Sequence, residues 1–380
     1  MNTRAAFGLS VALTAALSLG LGGCTSNPDG EDLFRVAADG VPGGALLAAW
    51  SPAAIGSTRS YLVGGYVGVD PSRVSGRGGR LVEYNRGQFR TLCQTDRALW
   101  WVDGGEGEVW AVGDGGTVLR WVGGRCETLA TGLRFAEGEP TFWGVRVVTP
   151  RDVWLVGGSA QPTGPTGVLV HYDGQRFERV AGLPEAAAGL NFYKVTTLDD
   201  SLVIAASQGM IFERSADGAW RTEGPLRVGD ARLFTVTCAR DLRGPACLAV
   251  GGAASGLAVR RDLSGRWVRA NMIDEEMPGL NGAFYQDASN LFVVGNHGAT
   301  MHSNGESRYV SRPLTQATLH GVGGNGAAVF AVGGELGVAD PSQRGVVLIR
   351  GENQYPSFGF DGLRYVARGT LRASVGGAGQ

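Results

Sequence analysis

Short apolar segments recur along the chain at a nearly constant spacing, and each segment ends in a small residue. Seven such segments (YLVG, WAVG, WLVG, VIAA, LAVG, FVVG, FAVG) end at Gly64, Gly113, Gly157, Ala206, Gly251, Gly295 and Gly333. The intervals between these end points run from 38 to 49 residues. A period in this range that is built from strands and turns predicts a β-propeller or a similar array of repeats.

Each repeat carries four strand signals. The first strand pairs two apolar or aromatic residues with a valine soon after, as in LWWV from Leu99, FWGV from Phe142 and FYKV from Phe192. The small-residue segment is the second strand, and segments such as TVLRW and YDGQRF supply the third strand and the tight turn to the fourth. Every segment after the N-terminal leader alternates or is apolar for four to six residues, which indicates strands. The sequence therefore predicts an all-β chain, a seven-bladed β-propeller of four-stranded antiparallel blades.

Closure of the ring has two candidate sources. DLFRVA, which begins at Asp32, reads as a fourth strand that precedes the first repeat and would complete the last blade. VVLIRGENQYPSFGFDGLRYVARG offers a fourth strand for the same blade around Tyr355 or around Tyr365. We expect the propeller to span residues 32–368 and residues 369–380 to form a flexible tail.

The N-terminus has the pattern of a secretory signal. MNTR supplies a positive charge, an apolar stretch runs from Ala5 to Leu21, and Leu21-Gly22-Gly23 precedes Cys24. This arrangement resembles the lipobox of bacterial lipoproteins, in which Cys24 would become the first residue and carry acyl chains such as palmitate. Residues 1–23 would then be the signal peptide and residues 24–31 a lipidated tether. The alternative is an ordinary secretory signal with a chance cysteine.

This lipobox resemblance also implies a location. Several acyl chains anchor a protein stably in a membrane, which a single chain does not do. The residue after the cysteine is Thr25 and not Asp, which favours the outer membrane in a cell that has two membranes. We therefore expect a lipid-anchored protein of the bacterial cell envelope.

The charges nearly cancel. Thirty-four Lys and Arg residues face 35 Asp and Glu residues, for a net charge of −1, so no nucleic-acid partner is expected. Lys194 is the only lysine, which we interpret as a sign of a GC-rich genome rather than of chemistry.

Four cysteines other than Cys24 are an even number in an oxidising compartment. Cys238 and Cys247 fall on neighbouring strands of one hairpin, and Cys93 and Cys126 fall at the ends of two successive repeats, so we expect two disulfides. Buried free thiols are the alternative. No pair has the Cys-x-x-Cys spacing typical of metal sites.

The turns between strands three and four carry a further resemblance. RSADGAW, with Ser215, Asp217, Gly218 and Trp220, comes nearest to the Asp-box pattern, and HYDGQRF and RDLSGRW keep parts of it. The repeats therefore resemble degenerate BNR or Asp-box-like propellers, including the photosystem II stability-factor-like proteins, and this resemblance implies a fold rather than a reaction. Sialidases are also Asp-box propellers, but their arginine triad, tyrosine–glutamate pair and acid aspartate are not identifiable in the chain.

Histidines and glycine-rich turns carry no clear metal or cofactor pattern. His171 and His302 fall at a third-strand position that holds acids and bases in other repeats, which indicates a solvated or groove-facing slot. His297 falls in the corner between strands two and three, and His320 falls near the central channel, where it could face a ligand. Calcium-loop and phosphate-loop motifs are absent from the sequence, so we expect no metal or cofactor. The recurring aromatic residues are expected to fill the core between blades.

Long connections predict where binding occurs. The connections between strands two and three and between strands four and one open on one face of a propeller, and most of the long segments fall there. The alternative is that the long connections vary in length without any role in binding. The candidate ligand residues are Arg134, Glu137, Glu139, Glu185, Asp274, Glu275, Glu276 and His320.

We favour a noncatalytic envelope lipoprotein whose propeller binds a protein or glycan partner on this face. One alternative is a glycoside hydrolase or lyase that acts on polysaccharide with paired carboxylates. Another is an assembly factor for envelope proteins, which the photosystem-type resemblance suggests. A central pocket with clustered carboxylates and a tyrosine would favour the enzyme.

Overall fold

The chain folds into seven blades, each built on four antiparallel strands, which confirms the predicted seven-bladed β-propeller. The computed structural model describes residues 34–53, 59–68, 78–135, 138–159, 167–226, 232–241, 244–270, 277–305, 308–310, 313–336, 343–351, 358–360 and 363–366. Residues 1–31 and 369–380 lie outside this range, so the predicted leader, tether and tail remain predictions.

Strands one and two form the inner half of each blade. The first strands are Ala45–Trp50, Leu99–Gly105, Thr141–Thr149, Phe192–Leu198, Leu233–Asp241, Leu280–Tyr285 and Leu319–Gly324. The second strands are Ser60–Gly65, Glu108–Gly113, Asp152–Gly158, Ser201–Ala206, Gly244–Gly251, Leu291–Gly295 and Val329–Gly334. Each first strand contacts the first strands of both neighbouring blades, so these seven strands surround the central channel.

Strands three and four form the outer half. The third strands are Gly79–Asn85, Val118–Val122, Val168–Tyr172, Ile211–Arg214, Leu257–Arg261, Thr300–Ser303 and Arg344–Arg350. The fourth strands are Gln88–Thr95, Arg125–Thr128, Phe177–Arg179, Trp220–Glu223, Trp267–Arg269, Arg308–Val310 and, in blade seven, Arg35–Pro42. The short 3₁₀ turns are Asp114–Gly116, Glu185–Ala187, Ser207–Gly209 and Asn296–Gly298. Within the described ranges, no helix has the length and apolar character that crossing a bilayer requires.

The N-terminal strand closes the ring. Arg35–Pro42 pairs antiparallel with Arg344–Arg350, with Val36 opposite Leu348, and becomes the outermost strand of blade seven. The prediction of closure by the segment from Asp32 is therefore confirmed. The alternative was wrong where the structure tests it, because Tyr365 lies in Leu363–Val366, which extends blade one beyond Phe358–Phe360. Tyr355 lies outside the described residues.

Seven apolar clusters fill the seven gaps between neighbouring blades. Their largest fully buried side chains include Trp110, Phe142, Phe192, Phe292 and Phe330. Burying one such side chain contributes roughly 1.5–3 kcal/mol, so every blade is stabilised chiefly by its neighbours. This interblade packing confirms part of the expectation for the aromatic residues.

The small residue at the end of strand two is required by close backbone packing. A Cβ added to Gly113 would overlap the carbonyl oxygen of Ala98, and one added to Gly333 would overlap the carbonyl oxygen of Thr318. Both carbonyls lie directly before the first strand of the same blade, where the chain passes close to strand two. The small residue that recurs in the sequence is therefore explained by this close contact. Blade four holds Ala206 at the corresponding position.

Both predicted cysteine pairs lie at disulfide distance. Cys93 and Cys126 join the fourth strands of blades one and two, with their Cα atoms 5.9 Å apart. Cys238 and Cys247 face each other across the first hairpin of blade five, with their Cα atoms 4.1 Å apart.

Aspartates order the turns that resemble Asp-boxes. The carboxylate of Asp217 accepts hydrogen bonds from the Ser215 hydroxyl and from the Ala219 backbone, and these bonds hold its pKa below the usual range. Asp173 and Asp262 accept backbone hydrogen bonds in the corresponding turns of blades three and five. These side chains satisfy turn N–H groups, which is a structural role.

Candidate functional site

The same β-bulge occurs near the start of the first strand in all seven blades. At each bulge one residue is skipped in the pairing with strand two, for example Trp100 between Leu99 and Trp101. A bulge re-aims the extra side chain and is common next to binding sites. The seven skipped residues, which we call the mouth ring, are Leu47, Trp100, Trp143, Tyr193, Phe234, Asn281 and His320.

All seven residues of the mouth ring line one cavity of about 710 Å³. The other lining residues come from the connections between strands two and three, such as Ser159 and Gln208, and from those that precede strand one, such as Arg232 and Thr318. The cavity therefore opens on the face that carries both kinds of long connection, which we call the long-loop face. Its volume lies within the usual range for sites that bind a small molecule or a side chain.

An arc of aromatic rings forms one side of the mouth ring. The ring centroids of Trp143 and Tyr193 are 5.2 Å apart, and those of Tyr193 and Phe234 are 5.7 Å apart. All three side chains are only partly buried, so they present apolar surface to the cavity. An arc of this kind is suited to packing against an apolar or aromatic group of a ligand.

Hydrogen bonds fix the three members of the mouth ring that carry a polar N–H group, Trp100, Asn281 and His320. The Trp100 indole N–H donates to Asp114 Oδ1 at 2.7 Å, and the Asn281 side-chain amide donates to the Leu319 carbonyl at 3.0 Å. His320 Nε2 donates to the Gly334 carbonyl at 2.7 Å, which leaves Nδ1 as the acceptor nitrogen of a neutral imidazole. Burial lowers the pKa of His320 to about 4, so its imidazole is neutral at physiological pH. The site is therefore preorganised.

Lys194 and Trp101 form the floor of the cavity. Both residues also line a second cavity of about 370 Å³ at the other end of the channel, so they lie between the two cavities. Lys194 Nζ donates to the Trp143 carbonyl at 2.9 Å and lies 3.0 Å from the centre of the Trp101 ring. Burial holds the pKa of this amine well below its usual range.

The burial of Lys194 should cost stability at neutral pH. Lys194→Met keeps the length of the side chain and removes the amine, so we expect a gain of about 1–3 kcal/mol in the free energy of unfolding at pH 7. Because the unfolded lysine binds a proton below about pH 10.4 and the folded one resists it, the gain should shrink as pH rises from 7 to 10. Chemical denaturation of both proteins across this range measures it. A variant that is no more stable than wild type at pH 7 would contradict this account of the site.

Of the predicted ligand residues that the structure describes, one lines the cavity and three do not. His320 belongs to the mouth ring and lines the cavity. Arg134, Glu139 and Glu185 are exposed on connections that precede first strands, and none of these three is a lining residue. Glu137, Asp274, Glu275 and Glu276 lie outside the described residues. A ligand role for all eight remains a prediction.

The other three histidines have structural surroundings. His171 stacks on Trp154 and hydrogen-bonds Asp152, and His302 stacks on Phe292, so both imidazole rings pack against the strand-two residue that faces them. His297 adopts φ +56°, as Gln208 (φ +57°) and Gly115 (φ +61°) do in the equivalent corners of other blades, so it serves the turn. Among the residues that the structure describes, no group of three or more His, Cys, Asp or Glu side chains could hold a metal ion.

Sequence reasoning missed the aromatic arc, because it assigned the aromatic residues to the core. That assignment was wrong for Trp143, Tyr193 and Phe234, whose predecessors Phe142 and Phe192 do lie in the core. The signal was present in the paired residues that open each first strand. Successive strand residues point to opposite faces, so only one member of each pair can enter the core.

Solved structures show the same architecture. The chain resembles a structure described as YCF48 bound to D1 peptide, with a TM-score of 0.57, 14% identity, and coverage of 92% of this chain and 98% of that chain. It also resembles YCF48 from Cyanidioschyzon merolae, with a TM-score of 0.58, 13% identity, and coverage of 84% and 99%. No protein-family model matches the chain, and no curated protein matches its sequence. These similarities support the propeller fold that the resemblance to photosystem II stability-factor-like proteins implied.

Proposed function

We propose that this protein is a noncatalytic binding module of the bacterial cell envelope, and that it binds a segment of a protein partner on its long-loop face. The observation that carries the proposal is the mouth ring, in which seven bulges aim side chains of six residue types into one cavity. Long connections surround that cavity on the same face. Binding there requires shape complementarity and a few anchor residues, without bond chemistry.

The chemistry of the cavity favours a peptide. The aromatic arc packs an apolar side chain of the partner, and the amides of Asn191, Gln208 and Asn296, which also line the cavity, can hydrogen-bond a peptide backbone. The comparison structure of YCF48 with a bound D1 peptide supports the proposal, since it shows a propeller of this fold with a peptide ligand. A glycan partner, which the sequence left open, is an outcome that the test below distinguishes.

The hydrolase alternative needs paired carboxylates in the cavity. None of the described residues that line the cavity is Asp or Glu. Asp114 lies nearby, but its carboxylate accepts hydrogen bonds from Trp100 and Thr141 and so serves to fix the ring. No observation favours hydrolysis at this site over binding.

Removal of the central aromatic side chain tests the binding proposal. The partner would be cross-linked in an envelope fraction, captured with the wild-type protein and identified by mass spectrometry, and its affinity would then be measured with purified components. We expect Trp143→Ala to weaken binding about 30-fold, because aromatic anchors contribute about 2 kcal/mol or more.

Leu263→Ala is the matched control, since Leu263 is 94% exposed in a strand-three-to-four turn on the opposite face. Equal affinities for wild type and Trp143→Ala would refute the proposal. If the wild-type protein captured a polysaccharide instead of a protein, and Trp143→Ala weakened that binding, the partner would be a glycan.

We further propose that Cys24 anchors the protein in the outer membrane through lipid. The Leu-Gly-Gly-Cys pattern after an apolar stretch supports this assignment. Labelling cells with a radioactive fatty acid should mark the wild-type protein and leave Cys24→Ala unlabelled. Persistent labelling of the variant would rule out Cys24 as the only lipid site.

A further inference from the structure

The single lysine of the chain lies at the floor of the mouth-ring cavity. Lys194 is 5% exposed and immediately follows Tyr193, the bulge residue of blade four. In the neighbouring blade the position that follows the bulge is Gly144, and a Cβ there would lie 3.2 Å from the Lys194 Cα. The glycine therefore lets the first strands of blades three and four approach closely at Lys194.

The amine of Lys194 has two neighbours and no carboxylate among its described contacts. One N–H donates to the Trp143 carbonyl, and the Trp101 ring lies on another side of the nitrogen. Arg232 and His320 are the other basic residues that line this cavity, and the His320 imidazole is neutral at physiological pH. In the neutral amine the nitrogen keeps a lone pair that no described donor occupies. A desolvated lysine amine of this kind is a nucleophile.

The cavity above the amine has the size and lining to hold a small apolar molecule. It has a volume of about 710 Å³, and Trp143, Tyr193 and Phe234 form its aromatic side. Because Lys194 lines the same cavity, a group held against the aromatic arc lies beside the amine.

We propose that Lys194 is a covalent capture site for small aldehydes with an aromatic or apolar body, which it binds as a Schiff base. This site goes beyond the proposed partner binding and does not depend on it. The aromatic arc would hold the body of the aldehyde, and the nitrogen would attack its carbonyl carbon.

The reaction balances without an oxidant or a reductant. The nitrogen lone pair forms the C–N bond, the carbonyl π pair moves to oxygen, and one amine proton passes to that oxygen to give a carbinolamine. Loss of the hydroxyl group with the second amine proton, as water, gives the imine. When the imine takes up a proton, its single N–H is placed to donate to the Trp143 carbonyl, and the Trp101 ring can stabilise the charge.

Reductive trapping tests the proposal. The full-length protein is treated at pH 7 with benzaldehyde and sodium cyanoborohydride, either folded or unfolded in urea, and sampled over time. Each sample is then denatured and cut with a lysine-specific protease, which cleaves the unmodified chain only after Lys194. Modification of Lys194 removes that cleavage, and mass spectrometry locates the adduct.

We expect Lys194 in the folded protein to be modified at least about tenfold faster than in the unfolded protein, because each unit of lowered pKa gives tenfold more neutral amine at pH 7. Lys194→Arg should form no adduct at this position. Modification that is equally fast or slower in the folded protein would overturn the proposal. That result would leave partner binding untouched, since Trp143→Ala tests partner binding separately.

Discussion

Val41→Asp is expected to prevent the ring from closing and to leave most of the protein unfolded. Val41 is fully buried in Arg35–Pro42, where it packs with Leu46, Phe330 and Val347 between blades seven and one. An aspartate there would be a buried charge without a partner, which costs several kcal/mol. Because total stability is only about 5–15 kcal/mol, we expect a loss of about 5 kcal/mol or more.

Asp39→Asn is the matched control for this prediction, because Asp39 lies in the same strand and is exposed. Urea denaturation followed by circular dichroism and tryptophan fluorescence should show the control within about 0.5 kcal/mol of wild type. If Val41→Asp unfolds within about 1 kcal/mol of wild type, the N-terminal strand does not close the ring.

Acidification from pH 6.5 to pH 4 is expected to destabilise the protein through two histidines. Burial lowers the pKa of His302 and of His320 from 6.5 to about 4. Below pH 6.5 the unfolded histidines take up protons and the folded ones do not, so stability falls as the pH falls through this window. Each histidine contributes at most about 3 kcal/mol, with the slope greatest between pH 6 and pH 4.

The double variant His302→Gln and His320→Gln isolates this effect from the carboxylates. Glutamine carries an amide that can donate to the Gly334 carbonyl, as His320 does. We expect the difference in unfolding free energy between wild type and the double variant to change by several kcal/mol between pH 7 and pH 4. A difference that stays constant over this range would show that the histidines do not titrate as described.

The blade architecture could be predicted because its causes are local. The small residue at the end of strand two, such as Gly113, reports a close backbone contact that recurs in six of the seven blades, so the period is visible in the sequence. The closing strand could also be predicted, because the strand-like segment from Asp32 precedes the first complete repeat and belongs to none of the blades that follow it.

Only the aromatic part of the mouth ring left a signal in the sequence, because a bulge has no obligatory residue type. Leu47, Tyr193, Asn281 and His320 share a position and no chemistry, and only the pairing register shows that each is skipped. Lys194 was read as a feature of base composition, and its place beside Trp101 depends on how blades two to four pack around the channel rather than on any neighbour in sequence.

Site-specific photo-cross-linking tests the central claim that binding occurs at the mouth ring. Benzoylphenylalanine would replace Tyr193, in the mouth ring, or Leu263, which is exposed on the opposite face. After irradiation of the envelope fraction, we expect a covalent adduct with a partner peptide at position 193 and none at position 263. Cross-linking at position 263 with equal efficiency, or at position 263 alone, would contradict the assignment of the long-loop face as the binding surface.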